Sequence, residues 1–295
     1  MVYLFLIYLN QILKWVFNLQ QSPFDIYTFG GLAWVLTLFY SPFAFITISR
    51  AMEKMDPTLE EAARVSGASP LKTLIDVTLP LMAPSILAGG LLVFIAAGSC
   101  FGIPAIVGMP GNIEVMTTRI VTYIYMGDDK GIRDATALAA SLMILANSLL
   151  FFMTWMLGRK DYTTISGKST RPNMVELGKW KWPAFIGVGL YATIAVIIPL
   201  FSILVTSLLK SMSKPVGFDN LSFESWIPVL TSAQYMESIW NSVLYAVIAA
   251  TVGTILSVFI AYLSVKTSVK GRSLPDLLTI IGGSTPSIVI ALALV

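Results

Sequence analysis

The chain has 295 residues, of which 56% are hydrophobic and 12% charged, with a formal net charge of +3 and a mean hydropathy of +0.79. Soluble domains carry about 25% charged residues, so this composition indicates an integral membrane protein. Histidine is absent and Cys100 is the only cysteine. These counts exclude a His-centred catalytic triad, a His or Cys zinc site and an internal disulfide. The small, dispersed net charge predicts no nucleic-acid partner.

The segment before the first long apolar stretch has an amphipathic portion. Residues 10–17 place Lys14 and Trp15 where a membrane interface would accommodate them. Residues 1–4 offer neither the basic start nor the small-residue cleavage site of a signal peptide. We therefore expect an interfacial segment on the outer face of the membrane.

Long uncharged stretches predict about six transmembrane helices. A bilayer core about 30 Å thick needs roughly 20 apolar helical residues. The stretches that meet this requirement are residues 30–49, 81–107, 135–157, 183–209, 239–265 and 277–295. Buried helices of soluble proteins rarely continue beyond a dozen residues without a charge. The predicted fold class is therefore an all-α polytopic membrane protein.

The distribution of Lys and Arg predicts the orientation of these spans. Thirteen basic residues lie in segments 50–80, 158–182 and 266–276, and six lie in the three segments on the other side, 1–29, 108–134 and 210–238. Basic residues are enriched in cytoplasmic loops. Segments 50–80, 158–182 and 266–276 are therefore predicted to be cytoplasmic.

The pattern of segment 50–80 predicts two short helices. Asp56 is suited to cap a helix that starts at Pro57. Gly67 is suited to end that helix in the left-handed conformation. Ser69 and Pro70 repeat the cap-and-proline start, and the second helix is expected to end at Leu79-Pro80, before the next span.

The first of these helices has an apolar, small-residued face. Leu59, Ala62 and Ala63 fall on one side of it at helical spacing. A compact helical hairpin with such a face is suited to dock on another protein.

The motif in this segment resembles the "EAA" signature of binding-protein-dependent ABC importer permeases. Glu61-Ala62-Ala63 is followed after three residues by Gly67 and after nine more by Val77, then Leu79-Pro80. Val77 stands where the family usually has Ile. The resemblance implies that the segment couples to an ATP-hydrolysing subunit through Leu59, Glu60, Glu61, Ala62, Ala63, Ser66, Gly67, Val77, Leu79 and Pro80.

Three further segments of the sequence are similar to the ferric-iron permeases of that family. They are residues 23–27, 101–108 and 114–120. Asn241-Ser242 at the start of the fifth span is common across the wider family. The resemblance implies ferric iron as the substrate, with polyamine, aminoalkylphosphonate, thiamine and sulfate as alternatives.

The order of the spans predicts two permease modules. Permeases of this type have about six spans per module, with the coupling loop between the fourth and fifth, whereas here one span precedes the loop and two follow it. We therefore expect residues 1–157 to be the C-terminal part of a first module and residues 183–295 the N-terminal part of a second. Residues 158–182 are interpreted as a cytoplasmic linker, and the chain as the middle section of a fused type I permease.

The linker contains Gly167-Lys168-Ser169, which is similar to the end of a phosphate-binding loop. The Walker pattern needs glycine where Tyr162 stands. No nucleotide site is predicted there.

The family resemblance implies a transport subunit of the bacterial inner membrane and no enzyme. Its implied partners are a cytoplasmic ABC ATPase dimer, a periplasmic or extracellular binding protein and the lipid bilayer. We expect no catalytic residues, no metal site and no cofactor.

Three other classes of protein remain as alternatives. A secondary transporter or channel is disfavoured because the six stretches contain no Asp, Glu, Lys or Arg, which ion-coupled carriers use as relays. A membrane enzyme would need an acid–base pair that is not visible. A pure scaffold would leave the coupling motif unexplained.

Two further interpretations concern residues near the outer side. Gly98 and Gly102 are spaced for close helix packing, and Ser99 or Phe101 is a candidate to line the pore. Glu114, Asp128, Asp129 and Asp134 are interpreted as a solvated loop, with contact to a binding protein or capture of a cation as alternatives.

Overall fold

A computed structural model describes residues 24–158, 177–212, 214, 216–267, 282 and 285–294. The predicted interfacial segment 10–17 and most of the linker 158–182, with Gly167-Lys168-Ser169, lie outside the described residues. The described part forms two compact units. The first contains residues from 25–180 and 281–295, and the second contains residues from 181–280.

The all-α membrane fold is confirmed by the described helices. Within the described ranges, five helices are long and apolar enough to cross a membrane. They correspond to the first five predicted spans: α1 (Phe29–Glu53), α3 (Pro70–Gly98), α5 (Asp129–Gly158), α6 (Gly178–Ser207) and α8 (Ala233–Lys266). The sixth predicted span, 277–295, lies partly outside the described residues, and its described portion contains helix α9 (Ser287–Ala293).

In the first unit, α1 packs antiparallel against α3. A methyl carbon placed on Gly89 of α3 would lie 3.5 Å from the Cα of Ala44 and 3.6 Å from Cγ1 of Ile48. These distances are ordinary van der Waals contacts, so the two helices are close enough at residue 89 to leave room for only a small side chain. The two helices are joined at one end by a hairpin that contains the short helix α2 (Thr58–Val65).

The rest of the first unit is built on α5. Helix α4 (Met116–Met126) packs along α5, and the buried cluster between them comprises Ile120, Ala135, Ala139, Leu142 and Val289. The three α5 members recur at i, i+4 and i+7, so they form one face of that helix. Val289 belongs to α9, which therefore packs against the same face.

Helix α3 corrects the prediction that the second short helix ends at Leu79-Pro80. The helix continues from Pro70 to Gly98 through a π-helical turn at Leu74–Thr78, in which the Leu79 backbone N–H donates to the Leu74 carbonyl. In a regular α-helix the Pro80 ring would clash with the carbonyl four residues earlier. The wider turn accommodates the proline, so the span begins at residue 70 and not at 81.

A π turn directly before an apolar residue and a proline recurs at two further positions. The π turn at Pro104–Gly108 precedes Met109-Pro110, and the turn at Thr193–Ile197 within α6 precedes Ile198-Pro199. In each case the residue before the proline donates its N–H to the carbonyl five residues back. In each of these three segments, the helical turn before the apolar residue and its proline is a wide π turn.

The C-terminal end of the second predicted span also differs from its prediction. Helix α3 ends at Gly98, and residues 99–101 are non-helical, so the predicted end at residue 107 is wrong. An added Cβ at Gly98 or at Gly102 would meet nothing within 4 Å, so neither glycine lies at a helix contact within the described part of this chain. Gly89 lies at the contact between α1 and α3.

In the second unit, α6 leads into an ordered connection before α7 (Trp226–Thr231) and α8. The Lys210 N–H donates to the Asn220 carbonyl at 2.9 Å, and the buried Asn220 amide donates to the Ser211 carbonyl at 2.9 Å. Helix α8 has no buried residue within the chain. Its apolar side chains are therefore available to lipid or to other helices.

Candidate functional site

The hairpin between α1 and α3, residues 54–69, is the candidate functional site. Asp56 bonds the start of α2 as predicted, although the helix begins at Thr58 and not at Pro57. The Asp56 carboxylate accepts a 3.0 Å hydrogen bond from the Thr58 backbone N–H. Donation from the Thr58 backbone, and then from its side chain, holds the pKa of Asp56 below its usual range. Pro57 precedes Thr58 without a backbone donor that would need a partner.

Gly67 ends α2 in the left-handed conformation that the sequence predicts, with φ of +88°. The Gly67 N–H donates to the Arg64 carbonyl at 2.9 Å, and the Ala68 N–H donates to the Ala63 carbonyl at 3.0 Å. This pair of bonds is a Schellman motif. It satisfies two carbonyls at the end of α2 and reverses the chain toward α3.

The start of α3 also follows the predicted chemistry. The Ser69 hydroxyl accepts from the Lys72 N–H at 3.4 Å, and Pro70 occupies the first helical position. Two consecutive caps therefore fix the ends of the turn around Gly67. The hairpin presents a defined surface at the end of α1 and α3.

That surface is apolar and exposed. Val65 is 89% exposed, and Leu59 and Leu71 are also exposed. Ala62, Glu61, Ser66 and Gly67 are exposed beside them, whereas Ala63 is half-buried. We call Leu59, Ala62, Val65 and Leu71 the hairpin surface. The sequence pattern predicted Leu59 and Ala62 as part of this surface but did not predict Val65. Its position as an apolar residue directly before Ser66-Gly67, where the helix ends, could have indicated it.

Glu60 has a partner inside the hairpin. The Thr78 hydroxyl donates a 2.6 Å hydrogen bond to Glu60 Oε1, which joins α2 to the π turn of α3. Thr78 is only 3% exposed. Sequence reasoning did not single out Thr78, because a threonine 18 residues away gives no periodic signal.

The last three residues assigned to the coupling motif lie within α3. Val77 is in the π turn, and Leu79 and Pro80 begin the α-helical segment that follows it. The motif therefore extends from the exposed hairpin into the first turns of a span. It joins the hairpin surface to the helix that crosses the membrane.

Ser99 and Phe101 lie at the other end of α3, where the helix stops. Both are half-buried, and Cys100 lies between them. The buried Thr117 hydroxyl of α4 donates to the Cys100 carbonyl at 2.7 Å. The structure thus places Ser99 and Phe101 at a helix break held by this polar contact.

Two of the four acidic residues predicted in segment 108–134, Glu114 and Asp128, have structural partners. Arg119 Nη1 donates to both carboxylate oxygens of Glu114, at 2.7 and 2.9 Å, and the Arg119 guanidinium lies 4.9 Å from the centre of the Tyr123 ring. Asp128 accepts from the Gly131 N–H at 2.7 Å and so caps α5. That cap starts α5 at Asp129, before the predicted start at residue 135.

Comparison with known proteins identifies the family of the chain. Residues 1–160 match the model for the binding-protein-dependent transport system inner membrane component. The chain belongs to this family. The match contains the hairpin and both spans that it joins.

Curated relatives include two ferric transport permeases. The chain is 26% identical over 270 residues to the ferric transport system permease protein FbpB of Actinobacillus pleuropneumoniae, covering 90% of this chain and 38% of that protein. It is 26% identical over 275 residues to the putative FbpB 1 of Haemophilus influenzae, covering 90% and 41%. The chain thus spans about two fifths of the length of these relatives.

A shorter match involves a permease named for another substrate. The putative molybdenum transport system permease YvgM of Bacillus subtilis is 29% identical over 147 residues, which is 50% of this chain and 62% of that protein. No solved structure matches the chain.

Proposed function

We propose that the chain forms part of the transmembrane pathway of an ATP-driven importer, with the hairpin surface as the docking site for the ATPase subunit. The observation that carries this proposal is the exposed apolar group Leu59, Ala62, Val65 and Leu71, held on the hairpin and the first turn of α3 by two capped helix ends. Such a group is stabilised when a partner protein covers it. Membership of the binding-protein-dependent family supports an ATPase as that partner.

The proposed orientation places the hairpin in the cytoplasm. Arg50, Lys54, Arg64 and Lys72 surround it in sequence, as expected of a cytoplasmic connection. The segment 99–128 then faces the outside, where a binding protein would deliver substrate. The chain itself would supply the pathway, and the ATPase would supply the hydrolysis.

We propose ferric iron as the transported substrate. The two ferric permeases align with 90% of the chain, so their similarity includes residues of both units. Permeases named for molybdenum, putrescine and sulfate align with 50%, 38% and 44% of it. The greater extent of the ferric match supports iron, and molybdenum, sulfate and polyamines are the alternatives to be tested.

The two-module organisation remains part of the proposal. The family match ends at residue 160, close to the proposed end of the first module at 157. The proposed linker is 158–182 and the proposed second module is 183–295. Alignment of the much longer ferric permeases beyond residue 160 supports this division.

Ser99 and Phe101 are proposed to line the pathway. Non-helical backbone near a membrane is tolerated where it is buried in protein or lines an aqueous cavity, and broken helices line substrate sites in transporters. The end of α3 at Gly98 provides such a break.

The docking role is tested in the intact transporter by Val65→Glu, which puts a charge on the hairpin surface without burying it. Tyr125→Glu is the matched control, because Tyr125 is 86% exposed at the opposite end of the first unit. We expect Val65→Glu to abolish co-purification of the ATPase and uptake of radioactive ferric iron, and Tyr125→Glu to preserve co-purification. Unchanged co-purification and uptake in Val65→Glu would refute the docking role.

A second pair of variants tests the hairpin turn. Gly67→Leu and Gly127→Leu both force a bulky side chain into positive φ, with no neighbour within 4 Å at either site. Because both carry similar backbone strain, only a difference between them reports docking. Loss of ATPase binding in Gly67→Leu alone supports the proposal, whereas ATP-independent uptake would favour a secondary transporter or channel.

A further inference from the structure

The hairpin is connected to α3 by a hydrogen bond across a π turn. Thr78 is the last residue of the turn Leu74–Thr78, and its hydroxyl donates to Glu60 Oε1 of α2 at 2.6 Å. This distance is in the range of a hydroxyl bonded to an ionised carboxylate. The bond therefore joins the helix that carries the hairpin surface directly to a span.

The Thr78 hydroxyl has one proton and two acceptors within reach. Its second acceptor is the Thr73 carbonyl at 3.4 Å, 0.8 Å farther away than Glu60 Oε1 (3.4 minus 2.6 Å). Because a hydroxyl donates one hydrogen bond, the shorter bond to Glu60 takes the proton. The Thr78 hydroxyl therefore donates its hydrogen bond to Glu60 and so joins α3 to α2.

The π turn is a position where α3 departs from regular α-helical winding. Single π turns occur frequently at functional sites in helices. Pro80 follows two residues later and has no N–H with which to complete a regular α-helical ladder. The turn is thus maintained by the sequence, and the Glu60–Thr78 bond fixes α2 against it.

We propose that Glu60 and Thr78 are positioning residues that make α2 and the start of α3 move together. A displacement of the hairpin surface would then reach the span through this bond and not through the Gly67 turn alone. The inference rests on the proposed docking function and adds the contact through which docking is converted into movement of α3. Glu60 is thus proposed to hold α2 against α3 through Thr78, whereas Glu61 is exposed beside the hairpin surface.

The test uses Thr78→Val in the intact transporter, reconstituted with its ATPase and binding protein. Thr73→Val is the matched control, since Thr73 is equally buried at 3% exposure but donates only within its own helix, to the Ser69 carbonyl at 3.2 Å. Thr78→Ser retains the hydroxyl and should restore the unmodified behaviour. Glu60→Ala removes the other partner from a half-buried site, in case Thr78→Val does not fold.

We expect ferric iron imported per ATP hydrolysed to fall about tenfold in Thr78→Val and in Glu60→Ala, the factor typical of a lost bond to a charged group. ATPase co-purification should be retained in both. The double variant should be no worse than either single variant, because both remove the same bond.

A structural readout is independent of the substrate. Spin labels at Val65→Cys and Leu87→Cys, in a Cys100→Ser background, report the distance between α2 and α3. We expect this distance distribution to broaden in Thr78→Val and to remain narrow in Thr73→Val and Thr78→Ser.

Unchanged coupling and an unchanged distance distribution in Thr78→Val would overturn the inference, as would equal effects of Thr73→Val. Failure of the ATPase to bind the unmodified transporter would overturn the docking proposal itself, and the inference with it. Retained ATPase binding with unchanged coupling would overturn only the role of the Glu60–Thr78 bond.

Discussion

Gly89 of α3 faces Ala44 of α1 so closely that an added methyl carbon would lie 3.5 Å from both the Cα and the carbonyl oxygen of Ala44. This distance is an ordinary van der Waals contact, so one methyl group fits, but a larger side chain would push the helices apart. The contact holds together the two spans that flank the hairpin. The position of the hairpin surface therefore depends on a small residue at this contact.

Gly89→Leu should destabilise the protein by about 1–3 kcal/mol, the usual cost of overpacking a close contact. Gly89→Ala should be nearly neutral. The midpoint of thermal unfolding in detergent, followed by size-exclusion chromatography of the heated protein, measures both effects.

Gly90→Leu is the control for this prediction. Gly90 is the next residue on the same helix, and an added Cβ there meets nothing within 4 Å. Equal midpoints for Gly89→Leu and Gly90→Leu would show that the Ala44 contact does not limit the side chain at residue 89.

Thr117→Val should destabilise the outer end of the first unit by about 1–3 kcal/mol. The fully buried Thr117 hydroxyl donates to the Cys100 carbonyl at 2.7 Å, and its loss would leave that carbonyl without this donor. Thermal unfolding compared with Thr122→Val measures the effect, because the Thr122 hydroxyl bonds only within its own helix, to the Thr118 carbonyl at 3.0 Å. The prediction fails if both variants unfold at the same temperature.

Much of the fold follows from local patterns in the sequence. Long apolar stretches predicted the five described spans, because a bilayer imposes a minimum length on a helix. Asp56, Gly67 and Ser69-Pro70 predicted the hairpin, because caps and left-handed glycines act through bonds a few residues away.

Other features depend on contacts between distant residues and were not predictable in this way. Leu79-Pro80 suggested the end of a helix, since a proline usually interrupts the backbone hydrogen bonds of an α-helix. In the structure the π turn before Leu79 accommodates the proline, and the helix continues. Gly98 and Gly102 had the spacing of a packing pair, whereas the observed contact is at Gly89. The Glu60–Thr78 bond joins residues whose proximity emerges only when α2 folds back on α3.

The cap at Asp56 predicts a pH dependence of stability. Its pKa is lowered in the folded protein by donation from Thr58, so the ionised carboxylate favours the folded state. This contribution is present above the unfolded-state pKa and is lost as the pH falls through the lowered folded-state value. Asp56→Ala should therefore reduce the unfolding midpoint at pH 6 and have a progressively smaller effect as the pH falls below the ordinary carboxylate range.

Asp56→Asn is the control, because an amide oxygen also caps a helix but carries no charge. It should remain close to the unmodified protein at low pH. A difference between Asp56→Ala and the unmodified protein that stays constant from pH 6 to pH 3 would contradict a role for the ionised cap.

The central proposal is that the hairpin surface contacts an ATPase subunit, and site-directed cross-linking tests it most directly. In the intact protein with Cys100 and any cysteines outside this chain replaced by serine, Ala62→Cys places a thiol on the exposed hairpin surface, and Tyr125→Cys places one at the opposite end of the unit. With a short cross-linker that carries one thiol-reactive group and one photoactivated group that inserts into C–H bonds, applied in native membranes, we expect Ala62→Cys to cross-link to the ATPase and Tyr125→Cys not to do so. Absence of an ATPase adduct from Ala62→Cys, or equal adducts from both positions, would contradict the proposed docking site.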